Sequence, residues 1–283
     1  MPSIVKKLCF GTAGIPDAIS GSSSLEAIQY LQEWGLDCLE IEFVRGIKVG
    51  SDTAQRIKKK ALACHMPLSV HAPYYINLNS PEPGQRLQSQ DQLLRSARMA
   101  EQCGAKSVVF HSGYYGKSSP AQTYEAIKKE LQEVLSILRT ERNSATMRLE
   151  TMGKRSQFGS LEEVLSLCKE IEGLQPCLDF SHMHAREGKV NSYLEFHRIL
   201  RKVEKRLGRS SLKDIHIHIS GVDYNQKGEV KHLNLIESDF HYDEWIQVLK
   251  DFEIEGLVIC ESPDQEADAL MLKKLYRSYS QKA

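Results

Sequence analysis

Histidine and carboxylate side chains recur at the carboxyl ends of apolar stretches along this 283-residue sequence. One such residue alone is usually a satisfied polar side chain or a helix cap. If many of them converge, buried charges without partners destabilise the fold by several kcal/mol each, and bound cations remove that penalty. The residues concerned are His71, His111, Glu150, Asp179, His182, His216, His218, His232 and Glu261.

The chemical types in this set favour particular metals. Imidazole and carboxylate ligands without cysteine suit Zn²⁺, with Mn²⁺ as the second candidate. The set also holds more candidate ligands than a single ion needs. It therefore predicts a multinuclear metal site, on the condition that the fold brings these side chains to one place.

The sequence contains eight short apolar runs separated by amphipathic helical stretches. Ser160 and Glu163, for example, have the spacing of a capping box at a helix start. The last six runs carry all of these residues except His232, which lies in the loop after the seventh run. Eight strand-then-helix units predict an α/β fold, a (β/α)₈ TIM barrel whose strands all end on one face. An open doubly wound sheet is the alternative, but GTAGIP after the first run lacks the G-x-G-x-x-G phosphate loop. The runs are KLCFGTAG, CLEIEFV, LSVHAPY, SVVFHSG, MRLETMG, CLDFSH, IHIHISG and LVICESP.

Composition limits the class of protein. Hydrophobic residues make up 41% and charged residues 26%, as in a globular protein with a sizeable core. No linker or low-complexity segment interrupts the chain, so we expect one domain over residues 1–283. There is no membrane-length apolar run and no signal peptide, and the seven cysteines lack CxxC spacing. Reduced cysteines, a cytoplasmic location and a monomer are the expectations.

Seven short motifs occur in an order and spacing that resemble those of the endonuclease IV family. The most specific is Asp179-Phe180-Ser181-His182, which matches the Asp-x-x-His of that family. The resemblance implies a metal-dependent abasic-site endonuclease within the wider group of xylose-isomerase-like barrels. It implies three clustered zinc ions and hydrolysis of double-stranded DNA on the 5′ side of an abasic site in base-excision repair. The motifs are HAPYYINLNSP, VFHSG, LETMGKRSQFG, LDFSHMHA, HISG, KHLNL and CESP.

The resemblance implies that two metals share a bridging carboxylate. His71 and His111 look like ligands of the first metal, and Glu150 looks like the bridge to the second. A water held between two cations about 3.5–4 Å apart loses its proton near neutral pH and becomes a nucleophile. The resemblance implies that Glu150 and Glu261 are the catalytic residues. The remaining ligands of the second metal are predicted to be Asp179, His218 and Glu261.

The third metal site departs from the family pattern. His182 and His232 look like its ligands, but the family carries an aspartate two residues before the second histidine, where this chain has Val230. Glu229 is adjacent and could replace that aspartate. We therefore expect two firmly held zinc ions and a third that is weaker or completed by Glu229.

Three further polar residues lie on the predicted strands and are not assigned as ligands. His216 precedes His218 by two residues and is predicted to lie one layer deeper in the barrel. His218 is preferred as the ligand because HISG matches the polar turn that follows the ligand histidine in the family. Glu40 and Glu42 have no assigned role, although Glu42 could reach the mouth as an extra ligand.

Tyr74 and Tyr75 follow directly after the strand that ends on His71. They match positions that carry bulky side chains inserted into DNA in the family, and aromatic rings can replace lost base stacking. The formal net charge is zero, so DNA binding needs a local basic surface. The loops after the strands supply candidates: Arg45, Lys48, Lys117, Lys154, Arg155, Arg186, Lys189, Lys227 and Lys231.

Two other functions are compatible with this sequence. A metal-dependent sugar isomerase or epimerase on the same barrel would need a similar set of Glu, Asp and His ligands, but only one or two metals. A DNA-binding relative that does not cleave is disfavoured because the ligands on both sides of Glu150 are present. The surplus of ligands, the basic loops and the tyrosine pair favour the endonuclease.

Overall fold

Strands and helices alternate along most of the chain, apart from the consecutive helices after the sixth strand and the hairpin after the seventh. The computed structural model describes residues 7–44 and 46–279. Its strands are β1 (Leu8–Ala13), β2 (Cys38–Glu42), β3 (Leu68–His71), β4 (Ser107–Phe110), β5 (Thr146–Glu150), β6 (Leu174–Asp179), β7 (Ile215–Ile219), β8 (Gly221–Asn225), β9 (Gly228–Leu233) and β10 (Gly256–Cys260).

Eight of these strands form a closed parallel barrel in the order β1-β10-β7-β6-β5-β4-β3-β2, and β1 pairs with β2 to complete the circle. The predicted (β/α)₈ TIM barrel is thereby confirmed, and each of the eight apolar runs provides one barrel strand. The antiparallel hairpin of β8 and β9 lies outside the barrel sheet and was not predicted.

Helices follow the barrel strands and cover the outside. They are α1 (Ser24–Glu33), α2 (Ser51–Ala63), α3 (Pro83–Cys103), α4 (Pro120–Thr140), α5 (Leu161–Glu170), α6 (Phe180–Glu187), α7 (Tyr193–Leu207), α8 (Tyr242–Asp251) and α9 (Gln265–Ser278). The predicted capping box of Ser160 and Glu163 starts α5. A cap of this kind stabilises a helix by about 1 kcal/mol because it satisfies free N–H groups of the first turn.

Alternation along the strands decides which side chains enter the barrel. On β7, Ile215, Ile217 and Ile219 belong to the main apolar core, whereas His216 and His218 project to the other face, which is the barrel interior. The interior is thus unusually polar towards the carboxyl ends of the strands, where an ordinary TIM barrel packs branched aliphatic residues. This arrangement places every strand-end histidine and carboxylate on one face.

Candidate metal centre

Three groups of histidine and carboxylate ligands meet at the carboxyl ends of the barrel strands. Within each group, one ligand atom per residue lies within 4.8 Å of all the others. Glu150 belongs to the first and second groups, and His182 to the second and third, so the groups form one continuous cluster. They are His71, His111 and Glu150; Glu150, Asp179, His182 and Glu261; and His182, Glu229 and His232.

Glu150, the last residue of β5, lies at the centre of this cluster. Its Oε2 is 3.2 Å from His71 Nε2 and 3.0 Å from His111 Nε2. Its Oε1 is 3.2 Å from His182 Nδ1 and 3.5 Å from His218 Nδ1. The two oxygens therefore face different histidines, which is the geometry that a carboxylate bridging two ions needs. Seven of the eight predicted metal-ligand residues belong to these three groups, and His218 adjoins them in a fourth group with Glu40 and Glu261.

Backbone carbonyls fix the proton positions on three of the histidines. Nδ1 of His71 is 2.7 Å from the Ala72 carbonyl oxygen, and Nδ1 of His182 is 3.0 Å from that of Thr151. His232 makes the same contact, at 3.0 Å, with the carbonyl of Glu261. Because a carbonyl oxygen can only accept, each Nδ1 carries a proton and, in the neutral ring, each Nε2 carries a lone pair.

Those lone pairs point at carboxylates rather than at donors. Nε2 of His182 is 3.4 Å from Glu229 Oε2, and Nε2 of His232 is 3.7 Å from Glu229 Oε1. Two acceptors that face each other repel unless a cation, either a proton or a metal ion, lies between them. Carbonyl-held imidazoles with a free Nε2 are the usual arrangement for metal-binding histidines.

Several buried polar atoms of the cluster also have no hydrogen bond within the described residues. They include Glu150 Oε1, Asp179 Oδ2 and His218 Nδ1. Unsatisfied buried carboxylate oxygens are strongly destabilising, and they are rare in native proteins. Ligand atoms left unpaired at the meeting point of the three groups fit divalent cations, and oxygen and nitrogen donors fit Zn²⁺ or Mn²⁺.

The acid–base properties of the cluster follow from burial and close opposite charges. Burial opposes ionisation of Glu150, but the imidazoles of His111 and His218 hold its pKa well below the usual range. For His71, burial opposes protonation, yet the Glu150 carboxylate raises the pKa of this imidazole to about 10. Burial raises the pKa of Asp179 to about 6. Without metal, therefore, protons bind where cations would otherwise lie.

A β-bulge brings Glu229 into the third group. In the hairpin, Asp223 pairs with Lys231 and the next residue, Tyr224, pairs with Glu229, so Val230 has no partner across the ladder. In a regular strand, residues three apart point to opposite faces. The extra residue at the bulge turns Glu229 and His232 to the same side, where both approach the same point. This geometry supports the expectation that Glu229 replaces the missing aspartate.

Two glycines make room for that hairpin. A Cβ on Gly153 would lie 2.8 Å from Glu229 Cβ and 3.0 Å from His182 Cδ2. A Cβ on Gly228, whose φ is +99°, would lie 2.1 Å from the carbonyl oxygen of Gly153. The loop after β5 and the start of β9 are therefore packed backbone against backbone, and each needs glycine at the contact.

The cluster opens into a cavity of about 280 Å³ with tyrosines at its rim. Tyr74 and Tyr114 line this cavity and are 55% and 44% exposed, while Tyr75 is 44% exposed but lies outside the lining. The rings of Tyr74 and Tyr75 pack edge to face, with centroids 5.8 Å apart. Both rings are therefore partly exposed to solvent at the rim. Sequence reading missed Tyr114, although it follows the HSG turn after β4.

The two glutamates of β2 occupy different environments. Glu42 lines the cavity but belongs to none of the ligand groups found among the described residues. Burial raises the pKa of its carboxyl to about 7. Glu40 is completely buried one layer deeper, where it contacts His216 and His218. His216 belongs to none of the three groups above and lies instead in a deeper group with Cys177 and His218.

Most of the predicted basic residues are exposed, but Arg186 has a structural role instead. Its Nη1 donates to the carbonyls of Met152, Lys154 and Gln157 at 3.4, 2.6 and 3.1 Å, and Nη2 donates to the Tyr115 hydroxyl at 3.3 Å. The guanidinium therefore holds the loop after β5 and is occupied by these acceptors. This corrects the expectation that Arg186 belongs to a phosphate-binding surface.

Of the other predicted cations, Lys154 is exposed and lines the cavity itself. Arg45 lies outside the described residues. The remaining members of the predicted surface are all exposed: Lys48, Lys117, Arg155, Lys189, Lys227 and Lys231.

Comparison with known proteins identifies the family. Residues 28–278 match the family model described as a xylose isomerase-like TIM barrel. The chain belongs to the xylose isomerase-like TIM barrel family. Within it, the chain is 43% identical to an uncharacterized protein of Methanocaldococcus jannaschii over 95% of this chain and 97% of that protein. It is 29% identical to a probable endonuclease 4 of Mycoplasma pneumoniae over 70% of this chain and 68% of that protein.

Solved structures of two differently named proteins share the barrel fold. A D-tagatose 3-epimerase-like protein superposes with a TM-score of 0.72 at 20% identity, covering 96% of each chain. Endonuclease IV from Thermus thermophilus superposes with a TM-score of 0.70 at 17% identity, covering 96% of this chain and 98% of the other. The sequence relatives confirm the resemblance to endonuclease IV, whereas the superpositions show only the fold. Among the described residues, none of the helices is long and apolar enough to span a bilayer.

Proposed function

We propose that this protein is a metal-dependent endonuclease that hydrolyses the phosphodiester 5′ to an abasic site in double-stranded DNA. The observation that supports the proposal most is the extent of the ligand cluster. Three groups of ligands joined through Glu150 and His182 offer places for up to three cations. The probable endonuclease 4 relatives, at 29% identity, agree with this reaction.

The residues of this chain would have distinct roles in the proposed hydrolysis. Glu150 joins the first two ligand groups, and Glu261 and Asp179 supply further negative charge to the second group. Bound cations would supply Lewis acidity and lower the pKa of a water, as in other two-metal hydrolases. Lys154, at the edge of the cavity, would pair with a phosphate, and Tyr74, on the rim, would stack in place of the missing base.

A sugar isomerase or epimerase is the second candidate, and the similarity to the D-tagatose 3-epimerase-like fold is the observation that favours it. Such a reaction would use the central ligands around Glu150 and would leave the two outer groups without a task. The outer histidines, His71, His111 and His232, together with the exposed tyrosines, favour DNA as the substrate.

Incubation of the zinc-loaded protein with a duplex that carries one tetrahydrofuran abasic analogue tests the proposal. The expected product is a nick on the 5′ side of the analogue with a 3′-hydroxyl, and an intact duplex of the same sequence is the control. Glu150→Gln should abolish nicking because a neutral amide cannot bridge two cations. Turnover of a free ketose by a preparation that does not nick the duplex would favour the epimerase instead.

A further inference from the structure

Glu40 is a buried carboxylate that the reaction proposed above does not use. It lies on β2 with no exposed surface, and its side chain enters the barrel directly beneath the metal centre. Ser69 Oγ on β3 donates a 2.6 Å hydrogen bond to Oε2. His216 Nε2 is 3.0 Å from the same oxygen, and His218 Nε2 is 2.8 Å from Oε1.

A carboxylate in this position needs strong partners, because an unpaired buried charge destabilises a fold by several kcal/mol. The three contacts come from β3, which is the neighbour of β2, and from β7, which lies three strands away around the barrel. The imidazoles approach at hydrogen-bond distance but at an angle, since their Nε2 atoms have no well-directed hydrogen bond among the described residues. We therefore attribute the orientation of both imidazoles to electrostatic attraction by the Glu40 carboxylate as well as to hydrogen bonding.

The contact decides which nitrogen of His218 is free. An ionised carboxylate can only accept, so His218 keeps its proton on Nε2 towards Glu40. Its Nδ1 then carries the lone pair, and this atom lies 3.1 Å from Glu261 Oε1 and 3.5 Å from Glu150 Oε1. His71, His182 and His232 present the opposite nitrogen, Nε2, because carbonyl oxygens hold their Nδ1 protons.

We propose that Glu40 is the positioning residue of the metal centre: it orients His218 so that Nδ1 binds the central cation, and Ser69 and His216 hold Glu40 in place. Glu40 also adds a negative charge below the cations, in a part of the barrel that water does not reach. The proposal depends on the metal centre and not on DNA as substrate. Metal binding therefore tests the role of Glu40 under either function, cleavage of DNA or isomerisation of a sugar.

The test uses Glu40→Ala and Glu40→Gln in the full-length protein, with metal binding measured by competition with a chromogenic chelator for Zn²⁺. Loss of a carboxylate behind a metal-bound histidine typically lowers affinity about 10- to 100-fold, and we expect such a loss for one ion in Glu40→Ala. Glu40→Gln should lose less, because its amide oxygen can still accept from one imidazole. Asp37→Asn is the matched control: Asp37 is a mostly buried carboxylate that pairs with Lys273 before β2, and its neutralisation should leave zinc affinity unchanged.

A second measurement separates positioning from general loss of structure. In protein labelled with ¹⁵N-histidine and loaded with ¹¹³Cd²⁺, the metal–nitrogen couplings show which ring nitrogen binds. We expect one coupling to an Nδ1, absent from His218→Ala and lost or shifted in Glu40→Ala, with the Nε2 couplings retained. Absence of any Nδ1 coupling in the wild type, or an unchanged coupling and unchanged zinc affinity in Glu40→Ala, would overturn the proposal.

One further outcome would also overturn it. The ligand atoms of Cys177, His216 and His218 lie within 4.8 Å of one another, beside Glu40. If Cys177→Ser and Glu40→Ala each removed the same whole ion from the wild-type stoichiometry, Glu40 would itself be a ligand of a deeper cation. Retention of every ion in Cys177→Ser would support the positioning role.

Discussion

Glu229 and His232 direct their side chains to one point although three positions separate them on β9. Glu229 Oε1 lies 3.7 Å from His232 Nε2, and Glu229 Oε2 lies 3.4 Å from His182 Nε2. Val230, which is 49% exposed, is the extra residue of the β-bulge. It shifts the register by one position, so that Glu229 and His232 lie on the same face. The Glu229 carboxylate therefore lies beside His182 and His232, although it is one residue away in the sequence from the position of the family's aspartate.

The first prediction concerns this bulge. Deletion of Val230 should keep the third cation, because Glu229 and His232 then become second neighbours on a regular strand and share a face. Glu229→Ala should instead lower the affinity for one ion by more than about tenfold, equal to about 1.4 kcal/mol. Zinc content after dialysis against a mild chelator measures both.

Val230→Ala is the control for the bulge, since it keeps the extra residue and changes only an exposed side chain. It should retain the same number of ions as the wild type. Tight retention of three ions by Glu229→Ala would show that another group completes the third site.

The second prediction concerns the tyrosines at the rim. Replacing both Tyr74 and Tyr75 with alanine should weaken binding to an abasic duplex by about 1–3 kcal/mol for each ring that stacks. Binding to the intact duplex should change less, because its own bases are already stacked. Fluorescence anisotropy with both duplexes measures the difference, and zinc content should stay constant. An equal loss on the two duplexes would indicate collapse of the loop after β3.

The third prediction concerns pH. The pKa of His71 is raised to about 10, and those of His182 and His218 lie well above the usual value; burial opposes each rise, but nearby carboxylates exceed it. His71 is therefore protonated in the metal-free protein at pH 7, and zinc must displace its proton. Apparent zinc affinity should rise from pH 7 towards pH 10 and fall more steeply below pH 6, where Asp179 also gains a proton.

Calorimetry in two buffers with different ionisation enthalpies counts the protons released. His71→Gln should release one proton fewer than the wild type at pH 8, because glutamine has no proton to lose there. A zinc affinity that does not depend on pH would contradict the raised pKa values.

The fourth prediction separates two cationic side chains near the cavity. Lys154 is exposed at the cavity, so Lys154→Ala should weaken binding to all duplexes and reduce the salt dependence of log K by about 0.9. Lys59→Ala is the control, because Lys59 is exposed on α2; this substitution should leave the salt dependence unchanged. Arg186→Ala should leave this slope unchanged as well, but it should destabilise the loop after β5, which proteolysis or hydrogen exchange would detect.

The barrel could be predicted from the sequence because each of its strands is a short apolar run, and six of the eight runs carry a histidine or carboxylate near their carboxyl ends. Convergence of His71, Glu150 and Glu261 followed from that topology alone, since parallel strands in a barrel end on one face. The hairpin was missed for the opposite reason. Residues such as Asp223, Asn225 and Lys231 are polar and exposed, so no apolar alternation marks the two strands.

The contacts within the site were less accessible to sequence reading. Glu40 meets His218 across the width of the barrel, and no local spacing relates residues 178 positions apart. Arg186 had the composition of a phosphate ligand, and only the positions of three carbonyl oxygens reveal that its guanidinium is occupied. In both cases the burial and the contacts of the side chain, rather than its residue type, indicate its role.

The contact between Gly153 and Gly228 implies that two segments of this chain must change together in evolution. A relative that carries the glutamate before a bulge needs a residue without a Cβ in the loop after β5, because any larger residue at 153 would displace Glu229. In a relative with the aspartate two residues before its histidine on a regular strand, the residue before that aspartate points to the opposite face. This reason for a glycine at position 153 is then absent. We therefore expect the two sequence features to co-occur, so that a pairwise signature, read without any structure, divides the family into a glutamate lineage and an aspartate lineage.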